Sequence, residues 1–157
     1  MTIRLLALDV DGTLTDGGVY MNGQGGEFKR FDIRDGMGIV RLKKAGVEIA
    51  LISGRHSAAT EQRARDLGIT RLHNGVADKM PLLSALVEEL GITFAETAYM
   101  GDDVNDVECL RAASLALVPS DGVPEARAAA DYVTFSPAGR GAVREAAELI
   151  LAGNGGR

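Results

Sequence analysis

Short apolar runs alternate with amphipathic stretches along the whole chain. The apolar runs predict buried strands, because a parallel strand covered on both faces is apolar throughout. The amphipathic stretches repeat their apolar residues at helical spacing, which is typical of helices packed on a sheet. The predicted strands are Arg4–Leu8, Val47–Ile52, Arg71–His73, Thr97–Met100, Ser114–Val118 and Tyr132–Phe135, and the predicted helices are Gly36–Ala45, Ser57–Leu67, Asp78–Leu90, Val104–Ala112, Glu125–Ala129 and Gly141–Leu151.

This alternation predicts an α/β fold, namely a Rossmann-like three-layer domain with helices on both faces of a parallel sheet. Val19–Met21 and Glu27–Phe31 flank a glycine-rich turn, so we expect a small β-hairpin flap over residues 17–31, after the first strand. No stretch is long enough for a large cap domain. We therefore predict a single domain over residues 1–157, with a frayed tail at residues 152–157.

Composition excludes several classes of protein. The 157 residues are 46% apolar, which fits one domain with a sizeable core, and the net charge of −5 argues against nucleic-acid binding. No apolar run approaches the roughly 20 residues that span a bilayer, and because the first predicted strand begins at Arg4 we expect no leader sequence. The single cysteine, Cys109, cannot form an internal disulfide, so we expect a cytoplasmic protein.

Polar residues follow predicted strands at four points where a strand ends. Because the carboxyl ends of parallel strands meet at one edge of a sheet, we expect these groups to converge. Together they offer carboxylates, a lysine, a hydroxyl and turn N–H groups, the mixture that phosphoryl transfer with Mg²⁺ requires. The four segments are Asp9-Val10-Asp11-Gly12-Thr13, Ser53-Gly54-Arg55, Asp78-Lys79 and Gly101-Asp102-Asp103-Val104-Asn105-Asp106.

In these segments the chain resembles the haloacid dehalogenase superfamily of phosphatases. The Asp-x-Asp-Gly-Thr motif of that superfamily matches Asp9–Thr13, and its strand-end Ser or Thr matches Ser53. Its lysine matches Lys79, and its Gly-Asp-Asp-x-x-Asp motif matches Gly101–Asp106. The four matches span most of the chain.

The resemblance implies a division of roles among these residues. Asp9 would be the nucleophile and a metal ligand, and Asp11 the general acid/base that also offers its backbone carbonyl to the metal. Lys79 would bridge the nucleophile and the phosphate. The implied set also has Ser53 on a phosphate oxygen, Asp102 on Mg²⁺, and Asp103 and Asp106 supporting the metal site or orienting Lys79. We expect Gly12, Gly54 and Arg55 to bind substrate, and Arg63 to reach a neighbouring site and pair with a substrate carboxylate unless it is a solvated helix residue.

One group in the superfamily, the 3-deoxy-D-manno-octulosonate 8-phosphate phosphatases, is closely similar at Asp9–Gly17, Phe31–Gly38 and Ala138–Glu145. This resemblance implies hydrolysis of an eight-carbon sugar-acid phosphate in lipopolysaccharide precursor synthesis. It also implies a homotetramer in which a neighbouring subunit closes each active site. Arg55 favours the eight-carbon acid, because related phosphatases for nine-carbon acids are expected to carry an acidic residue there.

Two alternatives remain open at this point. The substrate could be a nine-carbon sialic-type acid phosphate or another sugar phosphate. The chain could also be a non-catalytic oligomerising or regulatory module. Oligomerisation has an independent argument, because a hairpin alone leaves the edge of the sheet open to water, and another chain would be needed to exclude it.

Overall fold

Six parallel strands form the central sheet in this computed structural model, which describes residues 2–155. The sheet order is β5-β4-β1-β6-β7-β8, and β2 and β3 pair separately as an antiparallel hairpin. The strands are β1 (Leu5–Leu8), β2 (Tyr20–Met21), β3 (Glu27–Phe28), β4 (Glu48–Ile52), β5 (Arg71–His73), β6 (Thr97–Met100), β7 (Leu115–Val118) and β8 (Tyr132–Val133).

Helices cover both faces of this sheet. Alternate residues of β1 point to opposite faces, so Leu6 and Leu8 join one hydrophobic core while Leu5 and Ala7 join the other. The first core includes residues of α1, α2 and α6, and the second includes residues of α3, α4 and α5. The helices are α1 (Ile33–Lys44), α2 (Ala58–Asp66), α3 (Lys79–Glu89), α4 (Val107–Ala112), α5 (Pro124–Ala128) and α6 (Ala142–Gly153).

The three-layer fold predicted from the sequence is therefore confirmed. Within residues 2–155 the structure contains no large cap domain. Among the same residues, no helix has the length and apolar character needed to cross a membrane.

The register of the sheet brings three chain segments to the same edge. Leu8 at the end of β1 is aligned with Leu51 of β4 on one side and with Met100 of β6 on the other. The chain passes from β1 to β4 and β5 on one side of β1 and then returns to β6, β7 and β8 on the other side, which makes the end of β1 a topological switch point. Ligands bind in the crevice at such points in open α/β sheets.

The predicted hairpin is present in a shorter form. Tyr20 pairs with Phe28 and Met21 with Glu27, and an isolated bridge between Thr15 and Phe31 closes its base. With only two residues in each strand, the hairpin lacks the length to be stable alone. Its position depends on the contacts that its side chains make with the main domain.

Several boundaries differ from the sequence prediction. Helix α1 begins three residues earlier than Gly36, because the side chain of Asp32 accepts from the N–H of Arg34 and caps it. The segment predicted as a helix from Val104 begins instead as a 3₁₀ turn over Val104–Asp106. Other strand and helix ends lie within a few residues of their predicted positions.

The prediction of a frayed tail at residues 152–157 is wrong for its first part. Helix α6 continues to Gly153, and Asn154 follows it as the C-cap. The Asn154 side chain accepts from the N–H of Ile3 and donates to the carbonyl of Ile3, each at 2.8 Å. These paired hydrogen bonds fix the end of the helix beside the start of β1, while residues 156 and 157 lie outside the described part of the chain.

Candidate active site

Asp9 lies directly after β1 and is almost completely buried. Its Oδ1 accepts from the Nζ of Lys79 at 2.7 Å, and its Oδ2 accepts from the hydroxyl of Thr13 at 3.4 Å. The turn that follows is tight, because the N–H groups of Thr13, Leu14 and Thr15 all donate to the carbonyl of Val10. The carboxylate of Asp9 is thereby held at the edge of the sheet by the ammonium group of Lys79.

Gly12 allows two acidic segments to approach each other. It has a φ of +80°, and a Cβ at this position would lie 2.1 Å from Oδ2 of Asp102. Any side chain here would clash with that carboxylate and also strain the backbone. The glycine of the first motif therefore sets the separation between the β1 turn and the β6 turn.

Lys79 is the first residue of α3, and its side chain is only 1% exposed. Besides Asp9, its Nζ donates to Oδ1 of Asp106 at 2.8 Å. Burial disfavours the charged form of Lys79, but Asp9 and Asp106 outweigh it, so the pKa of Lys79 is raised. The site therefore holds a protonated lysine between two carboxyl groups.

Asp106 organises the turn after β6. Its Oδ2 accepts from the N–H groups of Asp102 and Asp103, at 3.0 and 3.2 Å. Its Oδ1 also accepts from the hydroxyl of Tyr99 at 2.5 Å. Burial, together with the negative charge of Asp106, raises the pKa of Tyr99 well above its usual range, so the phenol is a neutral donor. Sequence analysis missed Tyr99, whose only signal is a hydroxyl in an otherwise apolar strand end.

Three carboxyl groups meet at this point around a single ammonium group. Asp9, Asp102 and Asp106 each offer an oxygen within 4.8 Å of the others. Burial raises the pKa of Asp9 well above its usual range, and the neighbouring acids Asp106 and Asp102 raise it further against the opposing charge of Lys79. Burial also raises the pKa of Asp102. Uncompensated negative charge and hard oxygen donors together fit a divalent cation such as Mg²⁺.

Asp9 and Asp102 have oxygens better placed than those of Asp106 to bind such a cation. Both oxygens of Asp106 are already engaged by Lys79, Tyr99 and the backbone of the turn. Asp9 and Asp102 also line an open cleft of about 220 Å³. The remaining lining residues of that cleft are Asp11, Gly54, Arg55, Asp103 and Asn105.

Ser53 and Arg55 follow β4, as predicted. The buried Ser53 hydroxyl donates to the carbonyl of Arg55 at 2.9 Å and accepts from its N–H at 3.3 Å, so it bonds within its own turn. The Arg55 guanidinium reaches the cleft and donates to Oε2 of Glu27 at 2.7 Å. This hydrogen bond lowers the pKa of Glu27 and raises that of Arg55.

The hairpin supplies a lysine that sequence analysis also missed. The Nζ of Lys29 lies 2.8 Å from Oδ1 of Asp11, and the Lys29 side chain has no exposed surface. Its other neighbours are Oγ1 of Thr60 at 3.4 Å and Oε1 of Glu27 at 3.6 Å. Nothing in the sequence connects residue 29 with residue 11, because the contact forms only when the hairpin folds back over the sheet.

Arg63 lies apart from the cleft, whereas Asp103 lines it. Arg63 donates to the carbonyl of Asp32 at 3.4 Å and stacks 5.6 Å from the ring centroid of Phe31, in a separate cavity. Asp103 is exposed and accepts from the N–H of Val104, so it caps the 3₁₀ turn. Of the two supporting acids, it is Asp106 that contacts Lys79.

The chain is similar in sequence to known hydrolases. Residues 32–114 match the haloacid dehalogenase-like hydrolase family. The chain is 43% identical over 153 residues to the 3-deoxy-D-manno-octulosonate 8-phosphate phosphatase KdsC of Escherichia coli, across 98% of this chain and 81% of that protein. It is 42% identical over 149 residues to the KdsC of Yersinia pestis, across 95% of this chain and 80% of that protein.

Solved structures are similar to nearly the whole chain. The 3-deoxy-D-manno-octulosonate 8-phosphate phosphatase of Moraxella catarrhalis, in complex with magnesium, phosphate and KDO, superimposes with a TM-score of 0.94 at 42% identity, covering 98% of this chain and 88% of that one. The cobalt-bound Haemophilus influenzae enzyme gives a TM-score of 0.94 at 35% identity, covering 98% and 90%.

Proposed function

Because this chain belongs to the haloacid dehalogenase-like hydrolase family, we propose that its acidic cleft is the active site of a magnesium-dependent phosphatase. The proposed substrate is 3-deoxy-D-manno-octulosonate 8-phosphate, and the proposed pathway is lipopolysaccharide precursor synthesis. The observation that carries the proposal is the buried contact of Lys79 with Asp9 and Asp106, beside Asp102 and at the switch point of the sheet.

In the first half of the reaction, a carboxylate oxygen of Asp9 attacks phosphorus. The bond from phosphorus to the sugar oxygen breaks, and Asp11 donates a proton to that leaving oxygen. The phosphoryl group is then carried on Asp9 as an acyl phosphate. Lys79 contributes positive charge beside the attacking carboxylate, and the hydroxyl of Ser53 would turn from its own loop to a phosphate oxygen.

In the second half, Asp11 accepts a proton from water as the water oxygen attacks phosphorus. The bond from phosphorus to Asp9 breaks, which releases inorganic phosphate and restores both carboxyl groups. Mg²⁺, held by Asp9, Asp102 and the backbone carbonyl of Asp11, would supply charge that stabilises the phosphate oxygens. Asp106 keeps Lys79 and the β6 turn in place through both steps.

The sugar acid would lie toward Gly12, Gly54 and Arg55. Arg55 is half exposed at the cleft, where its guanidinium can pair with a substrate carboxylate. Arg63 lies outside the cleft of its own chain, so we propose that it reaches the active site of a neighbouring subunit.

A homotetramer is therefore part of the proposal. The hairpin exposes Tyr20, Met21 and Phe28, at 60%, 72% and 69%, and a neighbouring subunit would cover such an apolar surface. Light scattering is expected to give the mass of four chains. A monomer that keeps full substrate selectivity would contradict this assembly.

The proposed location is the cytoplasm. It is supported by Cys109, a free thiol on the buried face of α4, whose burial raises its pKa to about 12 and makes it unreactive.

The decisive experiment is turnover of a panel of phosphate esters with and without a chelator. Release of phosphate from the eight-carbon sugar acid in preference to nine-carbon acids is expected, with loss of activity when Mg²⁺ is removed. Asp9→Asn is expected to abolish turnover, while Glu88→Gln, an exposed change on α3, leaves it unchanged. Preference for a nine-carbon acid would overturn the substrate, and a panel without turnover would favour the non-catalytic alternative.

A further inference from the structure

Lys29 is a fully buried cation that the proposed reaction does not yet use. Its side chain has no exposed surface, although it follows the exposed strand β3 of the hairpin. Burying an ammonium group is costly unless oxygen atoms surround it. Here the oxygen atoms come from three parts of the chain: ion pairs with Asp11 in the β1 turn and Glu27 in the hairpin, and a hydrogen bond to the hydroxyl of Thr60 in α2.

The shortest of these contacts is with the proposed acid/base. Nζ of Lys29 lies 2.8 Å from Oδ1 of Asp11 as an ion pair, and this buried oxygen has no hydrogen-bond partner among the described residues. The Asp11 side chain as a whole is 20% exposed, and it lines the cleft. Oδ1 is therefore buried against Lys29, while the exposed part of the Asp11 side chain lies elsewhere and leaves Oδ2 as the oxygen that is free of this ion pair.

We propose that Lys29 is a positioning residue for catalysis, because it fixes Oδ1 of Asp11 and so directs Oδ2 to the leaving oxygen of the substrate. The proposal rests on the proposed phosphatase activity and on the role of Asp11 within it. Without this cation the carboxyl group could rotate, and proton transfer requires hydrogen-bond distance and alignment.

The same contact gives the hairpin a second role beside covering the cleft. Glu27 lies between Lys29, at 3.6 Å, and Arg55, at 2.7 Å. Charges thus alternate from Arg55 through Glu27 and Lys29 to Asp11, which links the proposed substrate contact to the proposed acid/base. Correct placement of the hairpin becomes a condition for turnover as well as for selectivity.

The test compares phenyl phosphate with p-nitrophenyl phosphate on the full-length protein with Mg²⁺. The value of kcat/KM reports the steps up to departure of the leaving group. Phenolate is a more basic leaving group than p-nitrophenolate, so its departure depends more on a donated proton. Lys29→Met should therefore lower the ratio of kcat/KM for phenyl to p-nitrophenyl phosphate by about tenfold or more. Neither ester contains a sugar acid, so the result is separate from the identity of the natural substrate.

Thr60→Val is the matched control. It removes a hydroxyl 3.4 Å from the same ammonium group and leaves the contact between Lys29 and Asp11 intact. The ratio should stay at the wild-type value in this variant. If Lys29→Met does not fold, Lys29→Gln carries the same expectation, since it removes the charge and keeps a polar side chain.

An unchanged ratio in the lysine variants would overturn the proposal, even if both esters were hydrolysed more slowly. That result would mean that Lys29 only anchors the hairpin, because a purely structural loss lowers both values of kcat/KM by the same factor. A fall in the ratio with Thr60→Val as large as with Lys29→Met would overturn it as well.

Discussion

Lys79 donates to Asp106 at 2.8 Å, and neither side chain has more than 1% of its surface exposed. Asp106 thus fixes the ammonium group against Asp9 from the opposite side. Asp106→Asn keeps the shape of the side chain but removes the charge that orients Lys79. We expect kcat to fall by about 100-fold, as measured by steady-state phosphate release.

Tyr99→Phe is the control for this prediction. It removes one donor to Asp106 and leaves the contact with Lys79 unchanged. We expect a loss of about 1 kcal/mol in the free energy of unfolding, with a much smaller change in kcat. A loss of kcat as large as in Asp106→Asn would mean that the phenol, rather than the charge on Asp106, orients Lys79.

Mg²⁺ should stabilise the folded protein through the acidic cluster. At about 100 times its Kd, a ligand specific to the folded state contributes about 2.7 kcal/mol, so thermal unfolding should shift upward by several degrees. Asp102→Asn is expected to remove this shift, because Asp102 lies beside Asp9 at the cleft. Asp103→Asn should retain it, since the exposed Asp103 accepts only within its own turn.

Arg55 should determine the affinity for the sugar acid more than the rate of phosphoryl transfer. Arg55→Met removes the guanidinium at the cleft but none of the groups around Asp9. We expect KM for the eight-carbon substrate to rise by about tenfold or more, with little change for p-nitrophenyl phosphate. Arg65→Met, an exposed change on α2, is the control, and equal effects on both substrates would contradict the assignment.

Asp32 should make stability depend on pH in the acid range. Hydrogen bonds from Arg34 lower its pKa from 3.8 to about 2 in the folded protein. A carboxyl group with a lowered pKa stabilises the fold fully above its unfolded pKa, and the contribution is lost as the pH falls from about 4 towards 2. We expect about 1 kcal/mol, because the exposed Arg34 is screened by water.

Urea unfolding between about pH 5 and pH 2.5 measures this effect. Asp32→Asn retains an oxygen that can cap α1 but does not titrate, so its stability should fall less over that range. Parallel pH profiles for the two proteins would contradict the prediction.

The sequence alone could predict the site residues that directly follow a strand or begin a helix. Asp9, Lys79 and Asp102 carry local signals, because each follows or begins an element whose period is visible in the apolar pattern. The same is true of the sheet, whose strands are short apolar runs.

Contacts that depend on the folded backbone and on side-chain direction could not be predicted in this way. The placement of Lys29 on Asp11 and of Tyr99 on Asp106 depends on the folded hairpin and on the direction of single side chains. The end of α6 was misjudged for a similar reason. Its glycine-rich sequence suggests fraying, but the side chain of Asn154 is bound by the backbone of Ile3 at the far end of the chain.

The pairing of Ile3 with Asn154 has a practical consequence for engineering. Ile3 precedes β1, so this contact lies at the edge of the sheet opposite the cleft, close to both ends of the described residues 2–155. Tags or fusion partners attached at either end would therefore keep clear of the catalytic edge. A circularly permuted chain could join these ends with a short linker. New termini should not be placed in the hairpin, because they would interrupt the segment that positions Lys29.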